Sequence, residues 1–430
     1  MGRPLFFWPI TAALPQVSAY SIAGGMTQAE TLGTQGRPFA AASLIAVIFI
    51  NMLGFGIIIP LLPFYAQSFQ ASPWQIGAIF GAYSIGAFFG EPLWGRLSDR
   101  YGRKPLLIST IMGNCLCYLA LAFTTDIWAA FFIRFLGGLA AGNGAVIMGY
   151  VADVTPPNRR ARVMAYEGAA WNVGLILGPA AGGFFVGSQA GPEGFRMPLF
   201  IASGLALLCV IATMVFIRES QVREPGQSYV APNWSTVVQT LRHPIIGRLI
   251  LLTFVVGFAF TGIESTLGLW AQSRFGWGPK DIAICFSCVG VAAFVTQTFL
   301  TAPLSERFGE TRMLALGMAL TVVAAALQPL STGTVITIGL MCLIAVGQSV
   351  AYPYVSALIS RAADPHRQGH TLGLNNASGA LARVVGPVCA GLVFAVHINA
   401  PFLMGALIVA PAMFLALSIS RHAQRDLAGP

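Results

Sequence analysis

Four charged residues lie inside long apolar runs of this 430-residue chain: Arg134, Glu167, Glu264 and Arg383. An ionised side chain at the centre of a membrane-crossing helix costs about 2.5 to 3.5 kcal/mol on insertion scales, so such residues are functional candidates by default. A carboxyl group there can take up and release a proton as its surroundings change, which is the chemistry of a proton-coupled carrier. Glu264, within VGFAFTGIESTLGLW, is the first candidate and Glu167 the second. Arg134 and Arg383 are the basic candidates, with a structural salt bridge the alternative for Arg134. The plain alternative for Glu264 is a structural ion pair with Arg383 or a hydrogen-bonded polar contact.

A second constellation is GRLSDRYGRKPLL, residues 95–107, between two apolar runs. It holds Arg96, Asp99, Arg100, Arg103 and Lys104, although only 9% of the chain is charged. Asp99 can accept hydrogen bonds from free backbone N–H groups at a neighbouring helix end. Arg103 can pair with a carboxylate, and Asp153 is expected on the same membrane face. Gly102 permits a tight turn. Such ion pairs could lock two halves of a carrier together and release them on rocking.

The elements that position these residues follow from composition. The chain is 56% hydrophobic, whereas soluble domains carry about 25% charged residues. A helix needs about 20 apolar residues to cross a bilayer. Runs of that kind are expected at 39–64, 74–95, 105–123, 127–151, 163–187, 198–217, 244–270, 281–302, 312–330, 334–359, 371–397 and 400–420. The expected fold is an all-α integral membrane protein of twelve transmembrane helices in two six-helix bundles. The bundles are 39–217 and 244–421, joined by a cytoplasmic linker, 218–243. Residues 1–38 and 422–430 read as tails, with Met26 the favoured true start.

Of 24 Lys and Arg residues, three fall in odd-numbered gaps (Arg196, Arg274, Lys280) and two inside spans. The remaining 19 lie in or beside the tails and even-numbered gaps. Positive residues mark the cytoplasmic side, so both termini are expected there. The net charge of +9 then reflects topology, and nucleic acid is not an expected partner. All seven cysteines fall in apolar runs and read as packing residues; Cys285 and Cys288 have no second pair nearby. No P-loop and no metal spacing of histidines occurs, so neither ATP nor a metal is expected. GLAAGNG follows no strand and does not read as a nucleotide site.

The halves repeat at an offset of about 208 residues. Leu97–Gly102 (LSDRYG) meets Leu304–Gly309 (LSERFG), Pro157-x-Arg159 meets Pro365-x-Arg367, and Gly178-Pro179 meets Gly386-Pro387. Two related halves with substrate between them is a transporter architecture. Gly174, Gly178, Gly182 and Gly183 put small residues on one run, which lets helices approach closely. Pro179 and Pro387 loosen their helices in mid-membrane. A pathway would mix apolar surface with a few polar groups: Asn51, Asn143, Trp171, Asn172, Gln297, Gln348, Tyr352, Tyr354, Asn375 and Asn376 are the candidates. Each could equally be an interhelical hydrogen bond.

These motifs resemble the major facilitator superfamily, and within it the twelve-span drug:proton antiporters related to tetracycline exporters. Gly95-x-Leu97-Ser98-Asp99-Arg100-x-Gly102-Arg103-Lys104-Pro105 is similar to the signature between spans 2 and 3. Gly174-x3-Gly178-Pro179-x2-Gly182-Gly183 is similar to the span 5 antiporter motif. Leu53-Gly54-x-Gly56-x3-Pro60-x2-Pro63 and Arg134-x3-Gly138-x2-Ala141 resemble the span 1 and span 4 patterns more weakly. The resemblance implies a latch at Asp99, Arg103 and Asp153, and a proton relay at Arg134. It implies helices 5 and 11 rocking across the pathway, and export of small amphipathic compounds against a proton gradient, without cofactor. A bacterial inner membrane and a functional monomer are expected. An importer, a lipid transporter of the same fold and a non-transporting sensor are the alternatives. One departure stands out. Tetracycline exporters carry an acidic residue in span 1 where this chain has Asn51, which cannot carry a proton.

Overall fold

In the computed structural model, apolar runs and turn residues set the helices. The structure describes residues 37–187, 191–220, 234–364 and 368–427, and no strand occurs among them. Twelve rods are numbered α1–α12. α1 runs Arg37–Ile58, passes through a 3-10 turn at Ile59–Leu61 where Pro60 removes a donor, and ends with Leu62–Gln67. α2 is Pro73–Tyr101, α3 Arg103–Phe123, α5 Pro157–Phe185 and α6 Arg196–Phe216. α4 breaks at Gly142–Asn143 into Ile127–Ala141 and Gly144–Val154. α7 is Ile246–Phe275, α10 Thr334–Ala362, α11 Gln368–Val396 and α12 Ala400–Leu427. α8 runs Pro279–Val295, a π-helical turn at Thr296–Leu300, and Thr301–Phe308. α9 is Glu310–Leu327 with a 3-10 turn at Gln328–Leu330. A short amphipathic helix, Trp234–Arg242, precedes α7.

Eleven of the rods are long and apolar enough to cross a membrane. α5 has the length, 29 residues, about 43 Å at 1.5 Å per residue. Its glycines, Trp171 and Asn172 make it less apolar than the other rods. The helices also outrun the expected apolar spans. α2 continues through Gly95–Tyr101, so the expected loop of GRLSDRYGRKPLL shrinks to one residue, Gly102. α12 continues to Leu427, into the expected tail at 422–430. Met26, residues 1–36, residues 221–233 of the linker and the last three residues lie outside the described residues.

Within Pro38–Pro430, one compact unit, α2 packs on α4 and α3 on α6, while α7 packs on α11 and α9 on α10 and α12. Two seams join the halves: α2 against α11, and α5 against α8. Glycines make both seams close. Gly77 abuts the Pro387 carbonyl, Gly391 the Pro73 carbonyl, Gly183 the Ala283 methyl and Gly290 Ile176. All these contacts lie between mid-membrane and the end opposite the described chain ends. There Trp270 is fully buried, donates from Nε1 to Asn399 Oδ1 at 2.7 Å and packs on Phe402.

Candidate functional site

The charged cluster forms around Gly102, which closes α2 and opens α3 at φ +105° and ψ 155°, a conformation nearly restricted to glycine. Arg103 then turns back. Its Nη1 lies 2.8 Å from Asp99 Oδ1, and it also donates to Ser98 Oγ. Its Nε lies 3.4 Å from Asp153 Oδ2 at the end of α4. Ser220 Oγ donates to the same Asp153 oxygen at 2.9 Å. Arg103 is 14% exposed and Asp99 66%, so Arg103 is the sheltered centre of the network.

Glu219, which sequence reasoning missed, caps α3. The backbone N–H groups of Arg103 and Lys104 donate to its carboxylate at 2.8 and 3.1 Å. Glu219 thus supplies the cap of α3, while Asp99 serves as an i,i+4 partner of Arg103. Lys104 Nζ donates to the Met214 carbonyl at 2.7 Å, so the end of α6 is held from two sides. Arg100 lies over the Tyr101 ring at 5.4 Å. Gly95 gives α2 close approach to Ala145. Each of these Arg103 and Lys104 contacts stays within the first half and the start of the linker. In the sequence Glu219 is only an acidic residue directly after span 6, beside Arg218, and no motif ties it to span 3.

The span 5 glycines separate into two jobs. Gly174, Gly178 and Gly182 face Met52, Leu53, Gly56 and Ile57 of α1, within one half; Gly183 alone faces α8. Gly386 packs on Phe258 of α7 and Gly391 on Pro73 of α2. α5 and α11 therefore each pair with a different helix across the midline rather than with each other. Pro179 lies inside α5 and touches the Gly56 position.

The pathway candidates also divide. Asn143 Nδ2 donates to Thr110 Oγ1 at 3.0 Å, and Thr253 Oγ1 donates to Asn375 Oδ1 at 2.6 Å; both asparagines are buried and join helices within one half. Gln348 Nε2 donates to the Val256 carbonyl at 2.9 Å, and Tyr354 Oη to the Thr301 carbonyl. Asn172 Nδ2 donates to Gln297 Oε1 at 3.1 Å, a bond between the halves at the π-helical turn of α8. Trp171, Tyr352 and Asn376 are exposed. Asn51 is half-buried, and its Oδ1 has no partner.

The membrane charges sit apart. Arg134 is 4% exposed and stacks over Tyr83 at 4.4 Å, with Nε unbonded and, among the described residues, no carboxylate in ion-pair contact. Glu167 is half-buried with Oε2 unbonded. Glu264 lies one turn before Gly268, which packs on Pro63 and Phe64 of α1, so it faces the other half. Arg383 acts on it electrostatically, yet the two form no contact ion pair. No cluster of metal-ligating side chains occurs among the described residues.

The fold and these motifs are those of a known class. The chain matches the model for the Major Facilitator Superfamily over residues 44–301 and 249–429. This chain belongs to the Major Facilitator Superfamily. Members of this superfamily are transporters, and this facilitator is a multi-pass membrane carrier of small molecules, not an enzyme. It is 30% identical to multidrug resistance protein 2 of Bacillus subtilis, over 87% of this chain and 93% of that protein. It is 28% identical to the class H tetracycline resistance protein of Pasteurella multocida, over 87% and 95%. It is 26% identical to the quinolone resistance protein NorA of Staphylococcus aureus, over 87% and 95%. In fold it is similar to a bacterial homologue of the human lysosomal transporter Spinster, at TM-score 0.75 and 14% identity, covering 90% of this chain and 97% of that one.

Proposed function

We propose that this facilitator exports small amphipathic compounds in exchange for protons by alternating access, with Glu264 as the proton carrier. The observation that carries the reading is the placement of Glu264, a carboxylate in mid-span on the face of α7 turned toward the first half. There it can meet a substrate or a proton, but not both at full strength. Charge within a span is costly, and a site that exchanges one positive charge for another is a use that offsets the cost. Relatives named for multidrug, tetracycline and quinolone resistance support the substrate class. Asn51 argues for coupling at Glu264 rather than in α1.

The seams close the halves at the end opposite the described chain ends, while Trp171, Tyr352 and Arg383 are exposed in the interior of their helices. We take this as the conformation open toward the cytoplasm, with both termini on that side, in a bacterial inner membrane and as a functional monomer. Glu167, Arg134 and Arg383 are the further charges of the proton path. Asp99, Arg103 and Asp153 act as the gate.

Everted membrane vesicles provide the test. After energisation, amphipathic drugs should release protons with the wild type and not with Glu264→Gln. Equal release in both would remove Glu264 from the role and leave Glu167 next.

A further inference from the structure

Arg383 is the charge that proton exchange at Glu264 leaves unexplained. The sectors of α11 are accounted for one by one. Ala382, Gly386 and Ala390 bear on α7, while Val384, Pro387 and Val388 bear on α2. Leu381 and Leu392 are exposed on a third side. At 100° per residue, Arg383 points into the remaining sector, opposite those leucines and between the two packed faces, which is the pathway side.

The guanidinium has room beside it. Its Nη1 is 3.7 Å from the point where a Cβ on Gly379 would stand, and Thr253 Cγ2 and the exposed Tyr352 Oη ring the same point at 3.7 and 4.0 Å. Among the described residues no carboxylate contacts it. Gly257 abuts Ala382, so Arg383 lies level with Phe258. Glu264 is 264 − 258 = 6 residues further on, roughly 9 Å along the axis. Both charges face the pathway, and among the described residues neither has an ion-pair partner in contact, the other included.

We infer that Glu264 and Arg383 form a split clamp for zwitterionic amphiphiles, holding a substrate's cationic nitrogen at Glu264 and its carboxylate at Arg383 beside Gly379 and Tyr352. The inference rests on the exchange reading above and narrows its substrate class. A cation alone leaves the arginine uncompensated, and an anion alone leaves the glutamate so. A ligand carrying both charges satisfies both, and a missing partner for a desolvated charge is the expensive case. Protonation of Glu264 removes one jaw and releases the ligand.

Tetramethylrhodamine, a zwitterion, and its methyl ester, a cation, differ only at the carboxylate. Binding of each to purified protein in nanodiscs is followed by fluorescence polarisation. The wild type is expected to bind the zwitterion at least about tenfold more tightly. Arg383→Gln should bring the two dyes within about twofold, Arg383→Lys should keep most of the preference, and Glu264→Gln should weaken the zwitterion. Equal or tighter wild-type binding of the ester, or no binding of either dye, overturns the clamp. So does equal weakening of both dyes by Arg383→Gln, which is what a merely structural arginine gives. If Arg383→Gln does not fold, the wild-type preference and Arg383→Lys decide. A zwitterion preference without dye-induced proton release in vesicles would support the clamp and sink proton exchange. Release driven by the ester and indifferent to Arg383→Lys would do the reverse.

Discussion

Arg103 and Glu310 hold equivalent places in the two halves and carry opposite charge. Each directly follows the glycine that joins the second and third helices of its half, and each reaches the end of the fourth. Arg103 pairs with Asp153, and Glu310 pairs with Arg361 at 2.8 Å. The ion pair has been kept through the repeat while its polarity reversed. The second half therefore shows that this position accepts the opposite arrangement. Arg103→Glu alone adds a fourth carboxylate to Asp99, Asp153 and Glu219 and should lower thermal stability in detergent. Adding Asp153→Arg should recover part of the loss, with a coupling of about 0.5–3 kcal/mol. A double variant no more stable than the worse single one would refute the equivalence.

Gly102 and Gly309 make the same turn, at φ +105° and +82° with ψ 155° and 150°. Their surroundings differ. A methyl on Gly102 would collide with the Glu219 carboxylate, whereas nothing lies within 4 Å of one on Gly309. Gly309→Ala should cost only the backbone strain, about 1–3 kcal/mol. Gly102→Ala should cost more and lose further when the α3 cap is displaced. Melting temperatures of the two variants give the comparison, and a larger drop for Gly309→Ala would contradict it.

Gly183 is the one antiporter-motif glycine at a seam between the halves. A Cβ there meets Ala283, while Gly182 meets the Ile57 carbonyl of its own half. Gly183→Leu should therefore hold the α5–α8 seam apart, whereas Gly182→Leu should damage the fold of one half. A cysteine placed at Lys280, at the foot of that seam, reads the difference. Gly183→Leu should raise its labelling by a membrane-impermeant maleimide severalfold with protein yield near wild type. Gly182→Leu should lower yield.

Periodicity and charge carry the rods, because apolar length is a local property. They carry the repeat too, since LSDRYG and LSERFG align without reference to folding. What lies between helices is less legible. Glu219 reaches Arg103 across 116 residues, and no spacing announces that an acid after span 6 caps span 3. Asn143 and Asn375 look like pathway residues by type, yet each is spent on a neighbouring helix. Arg134 has an aromatic ring rather than a carboxylate for a neighbour because α2 and α4 pack so that Gly138 meets Tyr83. The end at which the halves close is a property of one conformation and is not written in the sequence at all.

Arg134 yields the sharpest separation of stability from transport. Its guanidinium is buried and stacked on Tyr83, and among the described residues no carboxylate forms an ion pair with it. Removing it forfeits a cation–π contact of about 0.5–2 kcal/mol and relieves the burial of an uncompensated charge. Arg134→Met keeps the length and apolar stem, so the two effects should nearly cancel and the melting temperature should stay within a few degrees of wild type. Drug-induced proton release should be lost if the charge serves the proton path. Arg134→Lys retains the charge but not the planar face that stacks on tyrosine, and should transport at an intermediate rate. Normal transport by Arg134→Met would exclude this arginine from coupling. Unfolding of the variant would make the stack structural.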